Sequence, residues 1–183
     1  DKSAVQRIAH TLLQRGYLER GPDGQRLVPG RRFLDRSFDF LRMTPLIERA
    51  TPILIELRRT ARERVDLSLL DGPSIVYAVR LQSKRETFFA TLVGRRVPTF
   101  CSSGGRAMMA CMGPGAVAGI LDASDLRPVT SKTITDRAAI LDKVAEARRD
   151  GYALALEENL IGEVSIAAAI TDAQGAPEGA IHI

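Results

Sequence analysis

The spacing of apolar residues changes once along the chain, at Val65, and that change limits the fold more than any other feature. Before it, apolar side chains recur at helical intervals. Val5, Ile8, Ala9, Leu12 and Leu13 stand at i, i+3, i+4, i+7 and i+8, Phe33, Leu34, Phe38 and Leu41 follow, and Ile53, Leu54, Leu57 and Ala61 close the series. After it, short β-rich runs alternate with helices. The charge balance changes at the same point. Residues 1–64 hold 14 Lys and Arg against 8 Asp and Glu, a balance of +6, whereas residues 65–183 hold 12 against 14, a balance of −2. A basic helical part joined to a mildly acidic α+β part predicts either a nucleic-acid-binding unit with something attached or a solvated basic helix face.

In chain order, residues 4–15 form the first helix, with Ser3 as its N-cap and Gly16 at its left-handed end. Its polar face carries Gln6, Arg7, His10, Thr11 and Gln14, types that reach base edges and phosphates. Tyr17–Arg20 and Gln25–Val28 flank Gly21-Pro22-Asp23-Gly24, a hairpin signal with Arg20 and Arg26 beside its tip. A helix followed by such a hairpin is the recognition-helix-and-wing half of a winged helix-turn-helix. Residues 31–43 predict a linker helix whose apolar side is either a dimer contact or internal packing. Thr51-Pro52 predicts a helix start or kink, with the helix running to about Arg64. Strands are expected at 65–70, 75–81, 87–93, 152–156, 164–171 and 178–183, and helices at 116–121 and 136–149, the latter capped by Thr135 with Ile140, Leu141, Val144 and Ala147 inward. The sum is an α+β chain with about six largely antiparallel strands and no internal repeat.

Val97–Ala110 breaks from a loop into a helix. Pro98 stops what precedes it, Ser102 or Ser103 can cap, and Gly104-Gly105 leaves the first-turn backbone bare. Bare N–H groups at a helix start suit a carboxylate, although small residues also start helices simply to pack closely.

Composition narrows the alternatives. With no Trp and 5% aromatic residues, base stacking over many rings is excluded. Two Cys and two His would all have to converge to give a four-ligand metal site, and Cys101 and Cys111, if on one continuous helix, lie about 15 Å apart by helical rise. No cofactor is expected. No apolar run spans a membrane, and the two thiols without a secretory signal predict a reducing cytoplasm. Cys101 with His10 or His182 as a thiol enzyme lacks an orienting third group. The opening at Asp1 and the stop at Ile183 within an apolar pattern predict missing segments at both ends.

Lys2–Leu12, Gly94-Arg95-Arg96-Val97-Pro98 followed by Gly105-Arg106-Ala107, Thr133-Ile134-Thr135, Gly151-Tyr152-Ala153, Glu157-Glu158-Asn159 with Gly162, and Ile166-Ala167-Ala168 together resemble an IclR-family transcriptional regulator in order and spacing. The resemblance covers nearly the whole chain. It implies part of a winged helix-turn-helix at 1–30, a linker helix at 31–44 and a GAF-like effector-binding domain at 45–183. It implies a homodimer or homotetramer bound to a double-stranded DNA operator, a repressor of a catabolic operon, under control of a small anionic metabolite. Lys2, Ser3, Gln6, Arg7, His10, Thr11, Arg20 and Arg26 would meet DNA. Cys101, Ser103, Gly104, Gly105, Ala155, Ser165 and His182 would line the effector pocket. Relatives often carry an acid at the position of Ala155 and Cys at that of Ser165. The lost acid, and an imidazolium at His182, would favour an anion. The alternative is a small-molecule-sensing domain acting through a protein partner.

Overall fold

Asp1, not Ser3, caps the first helix, α1 (Lys2–Gln14): its carboxylate accepts the Ser3 N–H at 3.0 Å. Either oxygen-bearing side chain could serve, and the one ahead of the first turn does. The computed structural model describes residues 1–83 and 92–183, and the chain divides into two units, 1–48 and 49–183.

In the first unit α1 ends at Arg15 with Gly16 at φ +71°. Strands β1 (Leu18–Arg20) and β2 (Leu27–Pro29) pair antiparallel, with Glu19 opposite Val28. The turn between them is made by Asp23, whose carboxylate accepts the N–H groups of Gln25 and Arg26, and by Gly24 at φ +68°. Gly30 lets the chain return. Its N–H donates to Tyr17 O at 2.8 Å, and a Cβ there would lie 2.2 Å from Gly16 O. Helix α2 (Arg32–Met43) follows, with Phe33, Leu34, Phe38, Phe40 and Met43 exposed.

Helix α3 (Pro45–Ala61) continues through Pro52 rather than starting there. A proline removes one backbone bond, here to the Glu48 carbonyl, and the helix continues because Leu54 is fully buried. Ile53, expected inward, is exposed; Ala50, Leu54, Leu57 and Ala61 form the inward stripe.

The second unit is a six-stranded antiparallel sheet with helices laid on it, as the sequence predicts. Its strands are β3 (Val65–Asp71), β4 (Ser74–Leu81), β5 (Arg96–Pro98), β6 (Ala153–Leu156), β7 (Val164–Thr171) and β8 (Pro177–His182), in the order β5-β4-β3-β8-β7-β6. β5 is too short to leave a period in the sequence. The expected strand at 87–93 falls mostly outside the described residues, and Leu92 and Val93 are not in a strand. Helix α4 (Ser103–Ala110) follows a 3₁₀ turn at Thr99–Cys101 and is buried at every position. Helix α5 is Pro114–Asp122. Helix α6 (Arg137–Asp150) is capped by Asp136, whose carboxylate accepts the Ala139 N–H, rather than by Thr135, and it ends at Gly151 with φ +80°.

Two apolar clusters hold α4. Met109 and Ala107 pack with Phe100, Val117, Leu121, Ile140, Val144 and the sheet alanines Ala153 and Ala167. Met108, on the other side, meets Ile75, Tyr77, Val97 and Ala180. Leu141, expected inward on α6, is exposed. Each fully buried Met, Leu or Ile contributes about 1.5–3 kcal/mol. The short side chains of Ala153, Ala167 and Ala180 let the helix lie close. Among the described residues no helix is long and apolar enough to cross a membrane.

Candidate functional site

Side chains on one face of β3, β8 and β7 are polar where α4 begins, and buried and half-buried polar groups meet there across three strands. Asp66 stands opposite His182, which stands opposite Ala167, and Ser68 is two residues along β3 from Asp66. Ser68 Oγ lies 2.7 Å from His182 Nε2, His182 Nδ1 lies 3.4 Å from Ser103 Oγ, and Ser103 Oγ lies 2.8 Å from Ser165 Oγ. The hydroxyls can donate or accept, so one ring nitrogen donates and the other accepts. Ala155 is the register partner of Ser165. Ser103, Ser165, His182, Gly104 and Ala155 are therefore brought together from four elements.

His182 is neutral, not an imidazolium. Burial is the main cause: it pushes the ring down to about 3, and the positive charges of Arg64 and Arg80 add to it. The ring sits on an interior strand, 3% exposed. It also covers the helix start. A Cβ on Gly104 would lie 2.2 Å from His182 Cε1, and one on Gly105 would lie 2.1 Å from the Thr99 carbonyl. Both glycines thus serve close approach of the chain to itself. The cap is Ser102, whose Oγ accepts the Gly105 N–H at 3.1 Å. Cys101 stands apart from the polar group. It packs in the apolar cluster, its thiol donates to Asn159 Oδ1, and burial pushes that thiol up to about 12, so it is no thiolate at neutral pH.

Two buried ion pairs that sequence reasoning did not find flank this layer. Arg80 binds Asp66 through Nε (3.3 Å to Oδ1) and Nη2 (3.0 Å to Oδ2), both side chains 1% exposed. Arg64 Nε donates to the same carboxylate at 3.0 Å and its Nη2 to Glu163 at 2.9 Å. The Arg80 guanidinium stacks 4.2 Å over the Tyr77 ring, which is 5.2 Å from the His182 ring. Arg106 on α4 binds both oxygens of Glu158 and donates to the carbonyls of Phe100 and Leu154. The hairpin signal alone could not have found the first pair: the turn at 71–74 would set Asp66 opposite Val79, and a bulge between Leu67 and Ser68 shifts the register so that Asp66 meets Arg80. No local signal links Arg106 to Glu158.

A cleft of about 640 Å³ opens beside Arg64, Gln82, Glu163, Ile166 and Ile183, and one of about 260 Å³ beside Arg106, Lys132, Tyr152 and Glu158. Neither is lined by Ser103, Gly104 or Gly105. In the first unit Lys2, Ser3, Gln6, Arg7, His10 and Thr11 are exposed on α1, and Arg20 and Arg26 are exposed at the hairpin. Three of these side chains are engaged locally: Thr11 donates to Arg7 O, Arg20 donates to Gly24 O at 2.9 Å, and Arg26 pairs with Asp23 at 3.2 Å.

The model of the bacterial transcriptional regulator IclR C-terminal region matches residues 38–183. The Pca regulon regulatory protein of Pseudomonas putida is 30% identical over 183 residues, all of this chain and 62% of its own length. The chain spans about three-fifths of the length of the curated relatives it matches. The IclR structure from Thermotoga maritima superposes with TM-score 0.80 at 25% identity, covering 100% of this chain and 74% of that one. An IclR homologue from Microbacterium hydrocarbonoxydans, solved with 4-hydroxybenzoate, gives TM-score 0.79 at 26% identity, covering 100% of this chain and 75% of that one. These are transcriptional regulators, which removes the thiol-enzyme reading. With the fold, the α4 start and the family model in agreement along one stretch, this chain belongs to the IclR family of transcriptional regulators, most of it the C-terminal effector-binding domain.

Proposed function

We propose that the chain is the sensing part and a portion of the DNA-reading part of a repressor of a catabolic operon, released or engaged by a small carboxylate. Residues 1–30 are the end of a winged helix-turn-helix, 31–44 the linker helix and 45–183 the effector domain. The observation that carries the reading is the polar layer of buried Ser68, Ser103 and His182 and half-buried Ser165 beneath the start of α4, beside the buried Asp66–Arg80 pair. Hydroxyls at a helix N-terminus bind a carboxylate through hydrogen bonds that burial strengthens. The homologue solved with 4-hydroxybenzoate is consistent with that ligand class.

DNA is met by Lys2, Ser3, Gln6, Arg7, His10 and Thr11 in a major groove, with Arg20 and Arg26 on phosphates. Pairing of two copies into a dimer or tetramer sets the spacing of the reading heads. The carboxylate acts by binding one arrangement better than the other. Ser103, Gly104, Gly105, Ala155, Ser165 and His182 line the site, with Cys101 behind it.

A thermal-shift series of the 183-residue chain against 4-hydroxybenzoate, benzoate and succinate tests the sensing half. A raised melting temperature that Ser103→Ala weakens by about tenfold in apparent affinity is expected. No response to any carboxylate overturns the reading. For the DNA half, Arg7→Ala should weaken binding to a duplex selected from a random pool by roughly tenfold; unchanged binding overturns the recognition-helix assignment.

A further inference from the structure

Arg80 is the anomaly of the buried layer. Two guanidinium groups share the single Asp66 carboxylate, which accepts from Arg80 Nε, Arg80 Nη2 and Arg64 Nε. Arg64 finds a second carboxylate, Glu163, at the half-exposed rim. Arg80 finds none. Its Nη1 is, among the described residues, the one buried side-chain nitrogen or oxygen without a hydrogen-bond partner.

An unsatisfied buried donor on a charged group is costly, and stacking over Tyr77 leaves the Nη1 hydrogens unmet. Arg80 joins the start of α4 through a continuous series of contacts: its guanidinium on the Tyr77 ring, that ring on His182, and His182 on Ser103 and against Gly104. The same two arginines that disfavour a proton on His182 favour an anion in its place. Positive charge at this site therefore comes from Arg64 and Arg80 and not from the imidazole, and of the two arginines Arg80 is the one with a buried, unmet donor.

We propose that Arg80 recognises the anionic group of the effector, its free Nη1 donating to one carboxylate oxygen while Asp66 holds the other edge of the guanidinium. This rests on the carboxylate reading above and deepens it. Because Nε and Nη2 are committed to Asp66, the side-on fork that binds both oxygens of a carboxylate is closed to the ligand. The contact is to one oxygen, and the discrimination it supplies is between a carboxylate and its uncharged amide. Asp66 is the positioning residue: it orients the guanidinium and does not touch the ligand.

The test compares 4-hydroxybenzoate with 4-hydroxybenzamide by thermal shift and calorimetry on the full chain, as wild type, Arg80→Gln and Asp66→Asn. Wild type should prefer the carboxylate by roughly ten- to hundredfold, Arg80→Gln should lose that preference while keeping any binding of the amide, and Asp66→Asn, which loosens the guanidinium but leaves its charge, should reduce the preference without abolishing it. Carboxylate binding in wild type that survives unchanged in Arg80→Gln overturns the assignment and leaves the pocket standing. Equal losses in Arg80→Gln and Asp66→Asn overturn it too, because a purely structural ion pair predicts that pattern. No carboxylate binding by wild type overturns the pocket and the assignment together. If Arg80→Gln does not fold, the paired change Arg80→Gln with Asp66→Asn removes both charges, and retained carboxylate preference there overturns the proposal.

Discussion

The two buried arginine–carboxylate pairs of the second unit differ in completeness. Arg106 satisfies its guanidinium on Glu158 and two backbone carbonyls, and Glu158 accepts a further bond from Ile134 N–H at 3.0 Å. The Glu158 carbonyl takes the Thr133 hydroxyl at 2.7 Å, so the pair ties α4 to the turns at 130–134 and 157–159. Arg80 leaves one nitrogen unmet and divides its carboxylate with Arg64. The same chemical pair is a closed clamp in one place and an open one in the other. A clamp that is closed contributes to holding the fold; one left open has capacity to bind.

The largest expected effect is on the closed pair. Glu158→Ala strands a buried guanidinium and should lower unfolding stability by about 3–5 kcal/mol in urea denaturation; a loss under about 1 kcal/mol would end the distinction. Arg80→Gln should cost less, about 1–3 kcal/mol, because Asp66 keeps Arg64. If the two losses are equal, the open pair is as structural as the closed one.

The third effect is one of pH. His182 belongs to the open side, and its folded value near 3 lies below the ordinary 6.5. The unfolded chain therefore takes up a proton that the folded chain refuses. Stability from this group is complete above about pH 6.5 and is lost as pH falls toward 3, by at most about 1.4 kcal/mol per pH unit. Denaturation midpoints measured at pH 7.5, 6.0 and 5.0, in wild type and His182→Asn, read it as a slope that the variant lacks. The smallest effect is the exposed pair Arg96–Asp71, at 2.6 Å. Arg96→Ala should change stability by less than about 1 kcal/mol, since water and salt screen it, and a larger change would show that exposure is a poor guide to which pairs matter here.

What the sequence discloses follows from range. The β3–β4 hairpin and α6 with Gly151 are local patterns of period and turn that can be read directly, and the α4 cap is narrowed to Ser102 or Ser103, of which Ser102 serves. β5, three residues long, carries no period, and Pro52 reads as a break although the burial of Leu54 keeps α3 whole. At the site, Ser103 and Gly104 stand out as a bare helix start, whereas Ser165 and His182 are legible only through the family resemblance. The state of His182 is not legible at all, because neutrality there is set by burial under α4. Gly104 and Gly105 read as a place where the backbone is bare, but the space beside them is filled by His182, 78 positions from Gly104, and by the Thr99 carbonyl.

The strand order has a consequence during synthesis. β8 lies between β3 and β7, so the centre of the sheet is made after the other five strands described here. At about 5–20 residues per second, β3 keeps an open edge for roughly 5–20 s after leaving the ribosome. Through that interval the β3–β4 hairpin stands with Asp66 and Arg80 facing water and with unpaired backbone donors and acceptors ready to join any other strand. A ribosome stalled before Pro177 would release a chain whose two halves of sheet have no seam between them.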